Sequence, residues 1–188
     1  MKIKFGTDGW RAIIAKEFTN YNVARITYGV AAWLKQNNVG HKVVIGFDCR
    51  FAGKQFMDVV SKVLLHEGID AIIYNQPITT PAISLAAKEL NCGLGVIITA
   101  SHNPATYNGY KLKGAFGGPL LAKSIEEIEE LIPDEISYDF EEFSNESAQE
   151  VDLKKLYLDN IHAAFDIEAI RNSGLNISYD AMYGSGQF

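Results

Sequence analysis

The sequence has 188 residues, of which 47% are hydrophobic and 21% charged, a balance typical of a folded globular protein with its own core. We expect no secretory leader, because the opening residues turn polar at once, and no membrane partner, because no apolar run reaches the roughly 20 residues that a membrane-spanning helix needs. The formal net charge of −6 disfavours a nucleic-acid partner, which selects a basic surface. The two cysteines, Cys49 and Cys92, have the spacing of neither a disulfide framework nor a metal site, so we expect a reducing, cytoplasmic environment.

The chain opens with the segment Phe5–Arg11 (FGTDGWR), in which two glycines flank a polar pair and an arginine follows. Turn chemistry alone explains the glycines. A guanidinium is permanently charged, and its planar set of donors fits the oxygens of a phosphate. Arg11 is therefore physically suited to bind a phosphate group.

Helices and strands are predicted to alternate over the first hundred residues, because the period of the hydrophobic pattern alternates. Apolar, β-branched runs predict strands at 43–47, 71–74 and 93–98, and apolar residues at helical spacing predict helices at 22–38, 56–64 and 79–90. This order is that of parallel βαβ units whose helices cover the sheet.

Reactive side chains are densest in the segment Thr99–Lys111 (TASHNPATYNGYK), directly after the third predicted strand. In open α/β sheets, ligands bind where the strands end at their carboxyl termini. Asn103-Pro104 and Asn108-Gly109 each predict a turn, so we expect the segment to fold back and bring Ser101 and Lys111 to one small volume. The tripeptide Asp48-Cys49-Arg50 follows the first strand and is expected at the same end of the sheet. An Asp–Arg pair that only caps the strand remains an equally good interpretation of that tripeptide.

The remaining segments show fewer chemical signals. Residues 112–120 hold too many glycines for a helix, and 124–132 have the pattern of a short amphipathic helix. Residues 134–150 are acidic and polar, which predicts a solvent-exposed loop without an assigned function. Two further helical patterns, from Leu153 to Phe165 and then to Asn172, precede a strand pattern at 175–181.

These motifs resemble those of the α-D-phosphohexomutases, the family of phosphoglucomutase, phosphomannomutase and phosphoglucosamine mutase. Residues 99–111 are similar to the family's active-serine loop T-A-S-H-N-P-x-x-Y-N-G-x-K, and residues 5–11 to its opening F-G-T-[SD]-G-x-R. The family also has a D-x-R loop like that at 48–50. The resemblance covers essentially all of this chain but only the first part of a family enzyme.

The resemblance implies a three-layer α/β/α fold with a mixed, mostly parallel sheet, followed by the start of a second, similar domain. We expect residues 1–133 to form the first domain with the active-serine loop and residues 134–150 an acidic loop. Residues 151–188 are expected to form a helical segment and the first strand of an incomplete second domain.

The same resemblance implies roles for individual residues. Ser101 is expected to be the nucleophile and phosphate carrier, with one phosphoserine oxygen bound to Mg²⁺ and the other metal ligands outside this chain. Arg11 and Lys111 are expected to bind the phosphate, and Lys111 to serve as general acid or base. His102 is expected to donate a hydrogen bond to the phosphate, and Asn108 to bind phosphate or to shape the turn.

The expected reaction transfers a phosphoryl group between phosphoserine and a hexose phosphate, interconverting the 1- and 6-phosphates. The expected partners are the sugar phosphate and the remaining domains of the same polypeptide, and the 188 residues alone are expected to be inactive. Two alternatives stay open: a phosphoglucosamine mutase, and a binding domain that kept the fold and lost the chemistry.

Overall fold

The structure is a computed structural model that describes residues 2–6 and 9–187. Its strands are β1 (Trp10–Ile13), β2 (Lys42–Phe47), β3 (Asp70–Ile73), β4 (Leu94–Ile98), β5 (Tyr107–Gly114) and β6 (Gln149–Glu150). Its α-helices are α1 (Asn20–Asn37), α2 (Gly53–His66), α3 (Thr80–Glu89), α4 (Ala122–Leu131), α5 (Leu153–Ala164) and α6 (Ile167–Arg171). A single 3₁₀ turn at Phe140–Glu142 completes the regular structure of these residues.

The strands form one six-stranded sheet in the order β1-β5-β4-β2-β3-β6. Neighbouring strands run parallel from β4 through β2 and β3 to β6, whereas β5 runs antiparallel to both β1 and β4. A short loop joins the end of β4 to the start of β5 at the same end of the sheet. The chain therefore reverses direction, as an antiparallel pair requires. The predicted mixed, mostly parallel sheet is confirmed.

Helices cover both faces of this sheet, as the three-layer prediction requires. One apolar core lies between the sheet and α1, α2 and α4, and it includes Ile26, Ile45, Leu64 and Ile128. The other lies between the opposite face and α3 and α5, and it includes Val44, Ile83, Ile97 and Leu153. Adjacent residues of a strand point to opposite faces, so Val44 and Ile45 supply different cores.

Local sequence chemistry explains where the helices begin. Thr19 caps α1, because its side-chain oxygen accepts a hydrogen bond from the amide of Asn22 at 3.2 Å. Pro81 lies in the first turn of α3, where the missing amide hydrogen costs nothing, as predicted. None of the described helices combines the length and the apolar character needed to cross a lipid bilayer.

The predicted turn at Asn108-Gly109 is wrong, because both residues lie inside β5. Glycine is needed there for close packing: a Cβ atom on Gly109 would lie 2.4 Å from the carbonyl oxygen of Thr99 and 3.0 Å from that of Trp10. The close approach of two neighbouring chain segments therefore explains the glycine at position 109, and a turn does not.

Most of the acidic segment 134–150 is exposed to solvent, as predicted, but parts of it are packed against the rest of the protein. Phe140 is buried in the core beside α2, and Lys62 of that helix donates a hydrogen bond to the carbonyl oxygen of Glu141 at 2.8 Å. Strand β6 then pairs with β3 and extends the sheet by one strand. Phe140, the stacking of Phe143 on His66 and the short pairing of β6 therefore attach an otherwise polar segment.

Residues 175–181 do not form the predicted strand. They have no regular secondary structure and are exposed, with Leu175, Ile177 and Tyr179 each at least 72% accessible to solvent. A strand is held by hydrogen bonds to a neighbouring strand, and no described segment forms a ladder with these residues. The alternating apolar pattern is present, but alternation alone does not supply a partner.

Candidate active site

The two loops that the sequence singled out meet at the carboxyl end of the sheet. Strands β2 and β4 are parallel neighbours, and the amide of Asp48 donates to the carbonyl oxygen of Ile98 at 3.1 Å, one residue beyond the regular pairing. The loops that start at Asp48 and Thr99 therefore leave the sheet side by side. Their predicted placement at one end of the sheet is confirmed.

Residues 99–107 form what we call the serine loop, and Ser101 lies at its exposed outer side. The backbone of Ser101 has a φ of 56°, in the left-handed region that few non-glycine residues adopt. Its amide donates to Oγ1 of Thr99 at 3.0 Å, and that hydroxyl donates in turn to Oδ2 of Asp48. Such backbone strain persists where surrounding contacts hold it and concentrates at functional sites.

Arg50 holds the other side of the serine loop. Its Nη2 donates to the carbonyl oxygens of Ser101 at 2.8 Å and Asn103 at 2.5 Å. Its Nη1 donates to the carbonyl oxygens of Pro104 and Tyr107, both at 2.9 Å. Arg50 was not among the predicted site residues. The sequence signals for it were its position after a predicted strand and the resemblance of residues 48–50 to the family's D-x-R loop.

Arg11 reaches the serine loop from the edge of the sheet. Strand β1 pairs with β5, with Arg11 opposite Gly109, and Nη1 of Arg11 donates to Oδ1 of Asn103 at 2.8 Å. A guanidinium thus contacts the residue two positions after Ser101. The predicted role of Arg11 in phosphate binding stays a prediction.

The structure places Lys111 and His102 in very different surroundings. Lys111 lies in β5, opposite Ile97 of β4, and only 4% of it is exposed. His102 is exposed in the serine loop next to Ser101. The roles predicted for these two residues, in phosphate binding and proton transfer, stay predictions.

Asn108 makes structural contacts inside the protein, and its predicted role in phosphate binding stays a prediction. Its side chain is fully buried; Nδ2 donates to the carbonyl oxygen of Phe51 at 3.2 Å and Oδ1 accepts from the amide of Gly109 at 2.8 Å. Both polar groups of the amide are thus used inside the protein. Asn108 fixes the loop after β2 to the start of β5.

A cleft of about 510 Å³ opens beside Ser101. It is lined by residues of both loops and of the carboxyl-terminal segment: Asp48, Cys49, Arg50, Phe51, Ser101, Asn103, Ala105, Gly184 and Ser185. Its volume is in the range that small-molecule sites occupy. A second cleft, of about 570 Å³, lies along α2, but its two cations are already engaged: Lys54 with Asp58, and Lys62 with the carbonyl oxygen of Glu141.

The residues of the Ser101 cleft do not form a Mg²⁺ site by themselves. Mg²⁺ prefers octahedral oxygen ligands, and Asp48 is the carboxylate among the lining residues. Its two oxygens already accept hydrogen bonds from the amide of Arg50 and from Thr99. Within residues 2–6 and 9–187, no three His, Cys, Asp or Glu side chains are grouped so that they could hold a metal ion.

The two thiols are expected to react with a disulfide reagent at rates that differ by at least about 100-fold at mildly alkaline pH. Burial raises the pKa of Cys92 to about 11, and the residue is 2% exposed. Cys49 is exposed in the cleft, although partial burial and the neighbouring Asp48 raise the pKa of its thiol as well. Titration of the folded chain should therefore give one fast thiol, which Cys49→Ser removes. Two thiols of equal rate in the folded chain would contradict this arrangement.

Comparisons with known proteins agree with this architecture. A family model described as phosphoglucomutase/phosphomannomutase, alpha/beta/alpha domain I, matches residues 2–139. A phosphoglucomutase of Staphylococcus saprophyticus is 38% identical over 133 residues, which are 69% of this chain and 24% of that protein. A phosphoglucosamine/phosphogalactosamine mutase of Sulfurisphaera tokodaii is 32% identical over 179 residues, 94% of this chain and 38% of that protein.

A solved structure shows the same fold. A protein of Thermus thermophilus, provisionally described as a phosphomannomutase, superimposes with a TM-score of 0.83 and 34% identity. The match covers 90% of this chain and 37% of that one, so the chain spans between a quarter and two fifths of the length of these relatives. With the family model matching well over half of its residues, the chain belongs to the phosphoglucomutase/phosphomannomutase family.

Proposed function

We propose that this chain carries a phosphoryl group on Ser101 and exchanges it with hexose phosphates, as part of an enzyme that interconverts their 1- and 6-phosphates. The observation that supports this most directly is the presentation of Ser101. The residue is exposed beside a cleft, in a left-handed backbone conformation, on a loop that two arginine side chains contact. An accessible hydroxyl held next to fixed positive charge is what a phosphoryl carrier requires.

The proposed step begins with phosphoserine. An oxygen of the sugar attacks phosphorus, the bond between phosphorus and the Ser101 oxygen breaks, and the solvent-exposed Ser101 oxygen takes up a proton from water to become a hydroxyl. The proton of the attacking sugar hydroxyl passes to a base, for which Lys111 is the proposed residue. In the return step the Ser101 oxygen attacks the other phosphate of the hexose bisphosphate and its proton passes to water. The bond between that phosphorus and the sugar oxygen breaks, and the sugar oxygen takes back the proton from Lys111, which restores the phosphoserine and releases the isomeric monophosphate.

The residues of this chain contribute mainly position and charge to this step, and these supply most of the rate in phosphoryl transfer. Arg11 is proposed to stabilise the negative charge on the phosphoryl oxygens and His102 to donate a hydrogen bond to them. The Mg²⁺ that the family resemblance implies lacks a complete site among the described residues, so we assign it no step. The proposed partners are the sugar phosphate and further parts of the same polypeptide, in the cytoplasm, with neither nucleic acid nor membrane involved.

An amino sugar phosphate is the second candidate substrate. One observation favours it: the Sulfurisphaera tokodaii relative, which matches 94% of this chain, is named as a mutase of phosphorylated amino sugars. The residues that line the cleft give no basis for choosing between the two substrates.

The test is an activity assay of the protein encoded by the complete open reading frame that contains this chain. The substrates are glucose 1-phosphate, mannose 1-phosphate and glucosamine 1-phosphate. We expect turnover of the hexose phosphates that is faster than that of the amino sugar. The 188 residues alone are expected to be inactive, because they span well under half of the enzymes they resemble. Turnover of glucosamine 1-phosphate alone would support the second candidate, and no turnover of any of the three would support a binding domain.

A further inference from the structure

We propose that Arg50 is the positioning residue of the serine loop: it fixes the backbone conformation that presents Ser101 and acts through that backbone, without contacting the phosphoryl group. A guanidinium has five N–H donors, two on each Nη and one on Nε. The four Nη donors match the four carbonyl oxygens of the serine loop that Nη1 and Nη2 contact. The fifth faces Asp48, with Nε 3.7 Å from Oδ2.

Asp48 links Arg50 to the amide of Ser101. Its Oδ1 accepts from the amide of Arg50 at 2.9 Å, and its Oδ2 accepts from Thr99, whose hydroxyl accepts from the amide of Ser101. The short connection between β2 and α2 therefore holds both polar groups of the Ser101 backbone: the amide through Thr99 and the carbonyl through Arg50. The side chains of Asp48 and Arg50 are 18% and 13% exposed, whereas Ser101 and Pro104, which accept two of the bonds, lie at the surface.

This arrangement explains how a serine stays in the left-handed region. A φ of 56° is disfavoured for a residue with a Cβ atom and persists only when neighbouring contacts fix it. A lysine could supply the charge of Arg50 but not the planar, forked set of donors that reaches four carbonyl oxygens at once. Replacement by lysine therefore separates the effect of charge from the effect of geometry.

The test is amide hydrogen exchange in the isotope-labelled chain, followed at the amides of Ser101, Asn103 and Tyr107. In Arg50→Lys and Arg50→Met these amides should exchange at least about tenfold faster, whereas amides of β2, β3 and β4 should change less than about twofold. Lys54→Met, which removes an exposed cation from the helix that follows Arg50, is the matched control and should leave all of these rates unchanged. Wild-type rates in Arg50→Lys would show that charge suffices and would overturn the proposal. Acceleration of the whole sheet would overturn it as well, because Arg50 would then be a general stabiliser.

A measurement on the unaltered chain covers the case in which the variants fail to fold. Four engaged Nη donors restrict rotation of the guanidinium, so the Arg50 side chain should give separate, slowly exchanging Nη proton signals. One averaged signal would overturn the proposal. Only the claim that this conformation serves phosphoryl transfer rests on the proposed function. Neither measurement uses a sugar phosphate, so a failure of Ser101 to carry phosphate would leave both results unchanged.

Discussion

Replacing Ser101 with alanine is expected to abolish covalent phosphate incorporation. It should also lower turnover by the protein that the complete open reading frame encodes, at least about 10⁴-fold. Removal of a covalent nucleophile leaves the phosphoryl group without an acceptor, and the remaining binding groups do not replace it. Ser101 is exposed, and its backbone amide and carbonyl make the contacts that hold the loop. The substitution should therefore leave the free energy of unfolding within about 0.5 kcal/mol of the wild-type value.

Incorporation is measured with a hexose bisphosphate that carries labelled phosphate, and turnover with the preferred hexose 1-phosphate. Ser124→Ala is the matched control, since Ser124 lies in α4, outside the serine loop, and alanine suits a helix. It should retain both incorporation and turnover. Full turnover by Ser101→Ala would remove the serine from the mechanism and leave the loop with another role.

Most of the fold follows from hydrophobic periodicity, because burial on two faces leaves strong patterns. The run Val43–Phe47 is apolar throughout, and the structure buries it between the helical layers as β2. Helix α2 follows from apolar residues at helical spacing, from Phe56 to Leu64. Such patterns depend only on which side of an element is buried, so they can be read from a single sequence.

The patterns fail where a residue's partner is distant in the sequence. Asn108-Gly109 has the composition of a turn, but the approach of Thr99 and Trp10 to Gly109 places it in a strand. The segment 175–181 alternates like a strand, yet no described neighbour pairs with it. A strand is stabilised by pairing with a second strand. The hydrophobic pattern of one segment carries no information on whether that partner is present.

The candidate site shows the same division between local and long-range information. Ser101 and its loop could be predicted from a local run of reactive residues. The contacts of Arg50 could not be predicted. Its four acceptors are backbone carbonyl oxygens that begin 51 positions later in the chain, and backbone atoms carry no residue-specific signal. Hydrogen bonds from a side chain to a distant backbone group can be identified only in a three-dimensional structure.

Replacing Gly109 with alanine is expected to lower the free energy of unfolding by about 3 kcal/mol. The new Cβ atom would lie 2.4 Å from the carbonyl oxygen of Thr99 and 3.0 Å from that of Trp10. Both are backbone atoms of neighbouring segments, so no side-chain rotation relieves the contacts. Relief requires β5 to separate from its neighbours, which breaks the 2.9 Å hydrogen bond from the amide of Thr99 to the carbonyl oxygen of Gly109.

The measurement is thermal and denaturant unfolding of the 188-residue chain, with a decrease of about 10 °C expected in the melting temperature. Gly6→Ala is the matched control: a Cβ atom on Gly6 would lie 3.6 Å from its nearest neighbour, the carbonyl oxygen of Gly9, which is an ordinary contact. It should change the free energy of unfolding by less than about 0.5 kcal/mol. Because Thr99 is the first residue of the serine loop, Gly109→Ala should also accelerate exchange of the Ser101 amide. Equal stability of the two alanine variants would show that β5 does not approach Thr99 as closely as the structure places it.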